Sequence, residues 1–349
     1  MWLIALRDVQ QRRRQFLVAV IGSALVFAMA LVLAGLSGGF RAEARNTVGS
    51  LGGEGFVVKG GGGGPFSGYS GLPADTVGKV AAEPGVRDAA PLVITLQPLV
   101  PEGGGPKVDT HLLGYVPGQI AAPPVVSGHA PQRAGEAAVD ERAHLGRGTR
   151  FRLAGQELTV VGITKGLSYD AGVPNAYVTL PDAQEAAFGS TATISAVAVR
   201  GRPADLPPGL GYVDGQAAQA DILRHLHNAL IAVDNTQAFL WVVAAVIIGT
   251  VTYLSALERL RDFAVLKAIG ATGRQLYAGL AMQSVVMAVA ASLLAIGTAR
   301  LLTPVIPMPT DIPGFSFGLL PGVALVVGLL ASLSGIQQAV RVDPAKAFA

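Results

Sequence analysis

The sequence predicts a membrane α-helical protein, with four transmembrane helices and a large extracytoplasmic α+β domain inserted between helices 1 and 2. Three observations predict it. Only 14% of the 349 residues are charged, 51% are hydrophobic and the mean hydropathy is +0.48, whereas a soluble domain carries about 25% charged residues. Four stretches without Asp, Glu, Lys, Arg or His reach the roughly 20 residues that a helix needs to cross a bilayer. Between the first and second lies a long Gly- and Pro-rich segment with no comparable apolar run. The same composition excludes intrinsic disorder. The absence of cysteine excludes a disulfide framework, a thiolate metal site and a Cys nucleophile. A net charge of +3 gives no reason to expect a nucleic-acid partner.

Residues 1–15 form a basic N-terminal segment, and 16–36 (Phe16–Leu36) the first span. This apolar run exceeds the h-region of a signal peptide and is followed by no small-x-small cleavage site, so an uncleaved anchor is expected. Residues 37–235 form the inserted domain. Within it, Phe56–Lys59 reads as a strand. Pro73–Glu83 reads as a helix, from its Pro start, the spacing of Val77, Val80 and Ala81, and its Pro84-Gly85 stop. Leu92–Val100 and Val108–Val116 read as two strands across a turn-rich link, and Thr149–Leu153 with Glu157–Thr164 as a hairpin about Ala154-Gly155. Ala176–Thr179 and Ile194–Arg200 are further strands, with a helix over Pro181–Phe188 between them. Gln216–Asp234 is expected to be one helix running straight into the second span, 236–257. Then follow a loop at 258–275, the third span 276–300, a loop at 301–316, the fourth span 317–336 and a tail at 337–349. No inverted repeat is evident.

Orientation follows from the basic residues in the short flanks. Arg7, Arg12, Arg13 and Arg14 precede the first span; Arg259, Arg261, Lys267 and Arg274 lie between the second and third; Arg341 and Lys346 follow the fourth. The acids of these segments are Asp8, Glu258, Asp262 and Asp343, so the segments are net positive and the remainder net negative. The short segments are therefore expected on the cytoplasmic side, with the inserted domain and the 301–316 loop outside.

Several local patterns invite chemistry and do not carry it. The run Gly60–Gly64 lacks the Gly-Lys-Ser/Thr ending with which a phosphate loop grips a nucleotide, and reads as an outer loop. Gly314-Phe315-Ser316-Phe317-Gly318 has the spacing of a nucleophile elbow but no preceding strand, and reads as a tight entry to the fourth span. His225 and His227 lie about 200° apart on a helix and cannot share a metal, and His111, His129 and His144 have no ligand spacing. No catalytic, cofactor or metal site is expected. The spans lack the midplane charge that ion-coupled carriers use, so the driving force for any transport comes from elsewhere. Thr250, Thr252, Tyr253, Gln283 and Ser284 are expected to hydrogen-bond between helices. Ala24, Ala28, Gly35 and Gly39, and Ala291, Ala295 and Ala299, have the small-xxx-small spacing that permits close helix packing, within one chain or across a dimer.

The most informative segment is Glu258–Gly273. Helix formers run to Ile269, Gly270 can end the helix, and Thr272 with Gln275 can open the next one as a capping box. Charged Glu258, Arg259, Arg261, Asp262 and Lys267 alternate with apolar Leu260, Phe263 and Leu266. Such a helix can lie on lipid, or dock on a cytoplasmic partner with Phe263 and Leu266 as anchors.

This segment resembles the cytoplasmic loop of the MacB/FtsX-type (type VII) ABC transporter permeases, E-R-x-x-[DE]-x-x-x-L-[KR]-A-[IL]-G-A, here Glu258-Arg259, Asp262 and Leu266 to Ala271. The tail Arg341-Val342-Asp343-Pro344-Ala345-Lys346-Ala347 is similar to the family's basic residue followed by D-P-A-x-A. Gly148–Leu153 and Val160–Ile163 are similar to a hairpin of its outer domains. The short outer domain and Leu6-Arg7-Asp8 look most like the compact permeases related to glycolipid and haem exporters.

The resemblance implies a homodimer in the inner or plasma membrane, with both termini cytoplasmic, bound to two copies of a separate cytoplasmic ABC ATPase that binds the ATP. Glu258, Arg259, Arg261, Asp262, Phe263, Leu266, Lys267 and Gly270 would form the coupling helix. Export of an amphiphile (a lipid, haem or drug-like molecule) is the first expectation. A non-transporting mechanotransmitter acting on a cell-wall hydrolase or sensor is the second. An ion-coupled carrier and a membrane-anchored enzyme are disfavoured by the charge-free spans and the lack of a site.

Overall fold

The computed structural model describes residues 13–68, 71–102, 104–258, 265, 270, 272–305, 308–318, 321–323 and 326. The chain divides into two compact units, Gly39–Asn228 and the combination of Met1–Gly38 with Ala229–Ala349.

The second of these is built from long apolar helices. Helix α1 runs Arg13–Ser50, and its residues to Gly38 belong here. Its Leu-, Val- and Ala-rich sequence contains no proline, so nothing interrupts the hydrogen-bond ladder. Three described helices are long and apolar enough to cross a membrane, over Phe16–Ser50, His227–Val251 and Ala281–Leu302. Most of the fourth expected span lies outside the described residues.

The Gly39–Asn228 unit is α+β. Its strands are β1 (Gly55–Lys59), β2 (Leu72–Pro73), β3 (Val86–Pro101), β4 (Val108–Tyr115), β5 (Ser127–Gly128), β6 (Glu136–Asp140), β7 (Arg150–Leu153), β8 (Gln156–Thr164), β9 (Ser168–Tyr169), β10 (Val173–Thr179), β11 (Thr193–Ile194), β12 (Ala196–Gly201) and β13 (Leu210–Asp214). Helix α2 (Thr76–Ala81) follows β2, α3 (Leu180–Phe188) follows β10 and α4 (Gly215–Ile222) follows β13. The main sheet has the order β13-β1-β12-β3-β4-β10-β6-β8-β5, with β7 pairing β3 and β8. Most neighbours are antiparallel; β4 with β10 and β6 with β8 are parallel.

The central strands β1, β4, β6, β10 and β12 are buried on both faces and read as apolar runs, whereas β7 and β8 alternate buried and more exposed residues. Successive residues serve opposite cores: Phe56 and Val58 one, Val57 the other; Leu113 and Leu112 likewise; Tyr177 and its neighbours Ala176 and Val178 likewise. The first core is completed by Ala44, Val48 and Leu51 from α1 and its end, and by Ala218 and Ile222 of α4. The second is completed by Val80 of α2 and Ala183 of α3.

The β7–β8 hairpin turns at Ala154-Gly155 with φ of +49° and +82°, the twist a two-residue turn requires. Helix α3 has its proline in the first turn and stops at Gly189, φ +62°, as its sequence dictates. Two expectations change. The helix expected over Gln216–Asp234 is broken: α4 ends at Ile222, and α5 starts afresh as His227–Leu257. Between them the N–H groups of Arg224, Leu226 and His227 reach back three residues rather than four. No Gly or Pro marks this break; the Asp221 side chain is engaged with a distant loop, which holds the end of α4 in place. Strand β6 was not apparent in the sequence. Its Glu-Ala-Ala-Val-Asp has weak β-propensity, and burial between β10 and β8 makes it a strand.

Candidate functional site

In the helical unit the small residues form a seam. Ala24 and Ala28 of α1, Ala244 of α5, and Ala291, Ala295 and Ala299 of α6 (Gly273–Leu302) are buried in one cluster. Ala24 and Ala28 of the first small-residue spacing thus meet the Ala291–Ala299 spacing within a single chain, where short side chains let helices approach closely. Phe27 tilts against Trp241 with ring centres 5.9 Å apart, and Ser37 Oγ donates to Asp234 Oδ1 at 2.9 Å. Gly35 serves a different purpose from helix pairing. Its carbonyl accepts from the Asp311 N–H at 2.8 Å, and Gly38 leaves room that a Cβ would take from the Asp311 carbonyl. Gln283 and Ser284 are buried in α6. Outward from the seam, Phe239, Val246 and Leu293 are exposed, an arrangement stable in hydrocarbon and costly in water.

Of the coupling-helix residues, Glu258 and Gly270 are described; Arg259, Arg261, Asp262, Phe263, Leu266 and Lys267 lie outside the described residues. The Glu258 N–H donates to Leu254 O at 3.1 Å. Gly270 has φ +95°, a conformation that favours glycine and ends a helix. The Thr272 N–H donates to Gln275 Oε1 at 3.0 Å, a hydrogen bond of a capping box at the start of α6.

The 39–50 part of α1 carries a polar knot that sequence reasoning missed. Glu43 is buried and accepts from the Ser168 hydroxyl, with Arg142 Nη1 3.3 Å from Oε1. Burial pushes the Glu43 carboxyl up to about 6, against the opposing pull of Ser168 and Arg142. One turn on, Thr47 Oγ1 donates to Ser168 O at 3.2 Å, and Ser50 Oγ lies 3.3 Å from the Tyr177 hydroxyl. Asp140, itself raised by burial, accepts from the N–H groups of Leu167 and Arg142. A signal existed: beyond Leu36 the sequence keeps a helical apolar stripe, Phe40, Ala44, Val48 and Leu51, with one acid between Arg41 and Arg45.

The end of the Gly60–Gly64 run and the residues after it cradle an anion, and the anion is internal. Asp221 accepts from the N–H groups of Gly64, Phe66 and Ser67 at 3.1, 2.9 and 3.0 Å, and from the Ser67 hydroxyl. Ser316 of the elbow-like motif is buried in a short helical stretch, its N–H bonded to Pro313 O. Among the described residues no group of three His, Asp or Glu is placed to hold a metal.

Three helices long and apolar enough to cross a membrane, together with an α+β unit over Gly39–Asn228, define a membrane protein. Residues 237–344 match the FtsX-like permease C-terminal family. Over 348 residues, 100% of this chain and 99% of the relative, the sequence is 41% identical to an uncharacterized ABC transporter permease of Mycobacterium bovis, and equally to one of Mycobacterium tuberculosis. A second M. tuberculosis permease is 39% identical over the same span. The chain belongs to the MacB/FtsX-type ABC transporter permeases, and membership implies a partner ATPase. Among solved structures it is similar to the extracellular domain of the transporter YknZ from Gram-positive bacteria (12% identity, TM-score 0.34, 46% of this chain and 98% of that one). It is also similar to the periplasmic region of MacB from Actinobacillus actinomycetemcomitans (12%, 0.35, 48% and 90%).

Proposed function

We propose that this chain is the membrane subunit of an exporter for an amphiphile, worked by a separate ATPase. In this reading it is a plasma-membrane homodimer of four-span subunits that engages two ATPase copies. Residues 1–15, 258–275 and 337–349 are cytoplasmic, and 37–235 and 301–316 lie outside. The observation that carries the reading is α1. One unbroken helix supplies Ala24 and Ala28 to the seam and Ala44 and Val48 to the core of the α+β unit. With no Asp, Glu, Lys or His in the spans and Arg300 only at the end of the third, no midplane charge is there to harness an ion gradient, and movement of this helix is the available means of doing work outside. The loop from Glu258 to Gly270 is the surface on which the ATPase acts, with Arg259, Arg261, Asp262, Phe263, Leu266 and Lys267 as its contacts.

The test is reconstitution. Purified chain in lipid should hydrolyse no ATP, and adding the cognate ATPase should give hydrolysis coupled to amphiphile release. Robust hydrolysis by the chain alone would overturn the two-component reading. The same helix continuity would serve a mechanotransmitter. That reading wins if hydrolysis activates an outer hydrolase or sensor while no amphiphile leaves the membrane.

A further inference from the structure

We infer that the α+β unit contains a binding site for a small amphiphilic cation, a compound with an apolar or aromatic body and an ammonium head. The site is a cleft of about 160 Å³ between the 66–68 loop, the middle of β3, and the end of α3. Its walls include Phe66, Leu96, His111, Tyr169, Asp170 and Phe188. His111 stacks on Tyr169 with ring centres 3.5 Å apart and 14° between planes, and Phe66 meets the Tyr169 ring edge-on at 5.5 Å. Leu96 is 56% exposed and gives the cleft an apolar wall.

Two polar atoms here are unspent. His111 is 5% exposed, and its Nε2 lies 3.2 Å from Asp170 Oδ2. Among the described residues neither that Nε2 nor Asp170 Oδ1 has a hydrogen-bond partner, although both atoms are buried. A buried carboxylate oxygen without a donor is costly, and it can only accept. The missing partner is therefore a donor. Charge selects which one. Asp170 is the one carboxylate among the cleft's lining residues, and no Lys or Arg is among them. An anionic head would face Asp170 with only the imidazoles of His111, already beside Asp170, and His225 to balance it. An ammonium would pair with Asp170, whose side chain is 26% exposed beside the Tyr169 and His111 stack. The apolar body would take the Leu96 and Phe188 side. The inference concerns this unit alone and stands whether or not the chain drives export.

Three isosteric probes test it on the full chain in lipid nanodiscs by calorimetry, with the heat from empty discs subtracted: 2-phenylethylammonium, 2-phenylethanol and phenylacetate. The ammonium should bind saturably, and the alcohol and the carboxylate at least about tenfold more weakly, the scale of one charge-assisted hydrogen bond. Asp170→Asn should remove the preference for the ammonium over the alcohol. Asp170 has φ +54°, which Asn tolerates. Should that variant misfold, Leu96→Lys decides instead: placed at an exposed position, it should weaken ammonium binding by about tenfold or more and leave the melting curve unchanged. Equal affinities for the three probes, preference for the carboxylate, or no saturable ammonium binding would each overturn the inference. So would an ammonium preference that survives both folded variants.

Discussion

The carboxylate of Asp221 sits on the backbone N–H of Gly64, 157 residues away in sequence, at 3.1 Å. Gly64 is required there because a Cβ would collide with that carboxylate. The amides of Gly64, Phe66 and Ser67, at and just past the end of the glycine-rich run, form a nest closed by the protein's own acid. Its role is to fasten the loop to the last helix of the α+β unit.

Asp221→Ala should therefore free the loop. Three N–H groups and the Ser67 hydroxyl lose their acceptor, a cost of about 3 kcal/mol. Hydrogen exchange read over residues 60–68 should speed up by roughly a hundredfold. Gly64→Ala should do the same through the clash. Unchanged exchange in both variants would mean that the loop is held by something else.

Glu43 predicts a pH dependence. Its carboxyl is raised by burial from 4.5 to about 6, so the folded chain holds this proton more tightly than the unfolded one. Stability from this group is full below 4.5 and is lost as pH rises through 6, a change of about 2 kcal/mol. Glu43→Gln mimics the protonated form. The stability advantage of the Gln variant over wild type, measured by thermal unfolding in detergent, should be largest near pH 7.5 and shrink towards pH 4.5. An advantage independent of pH would show that the carboxylate is not desolvated in the native state.

The seam predicts a size limit. Ala291 is fully buried among alanines, whereas Leu293, two residues on, is 63% exposed. Ala291→Leu should destabilise the helical unit by about 1–3 kcal/mol through overpacking. Leu293→Ala should leave the melting temperature in detergent nearly unchanged. Equal effects would contradict close packing at this stripe.

Docking on the ATPase rests on Phe263 in the proposed reading. Phe263→Asp should reduce co-purification of the ATPase with the chain while membrane insertion stays intact. Undiminished recovery of the complex would move the docking surface away from the 258–270 segment.

Much of the α+β unit was legible in sequence because its cues are local. Ala154-Gly155 forces a turn, Pro181 and Gly189 bracket a helix, and Phe56–Lys59 and Val108–Val116 are apolar enough to be strands. The break after Ile222 was not legible, since its cause is a loop more than 150 residues upstream. Strand β6 was not legible because neighbouring strands, rather than its own residues, impose the extended form. The polar knot at Glu43 was hidden by the expectation that α1 ends with its apolar run.

The apolar helices, the charge bias of their flanks and the hairpin follow from the sequence by itself. Transfer into lipid, screening of basic flanks and turn geometry depend on residues adjacent in the chain. Only the tertiary structure decided that α1 lends Ala44 and Val48 to a core, that Asp221 fills the glycine loop, and that His111 meets Asp170 beside Tyr169 in an apolar cleft. Those pairings join residues far apart in sequence, and their energies come from burial and from polar partners that no local pattern records.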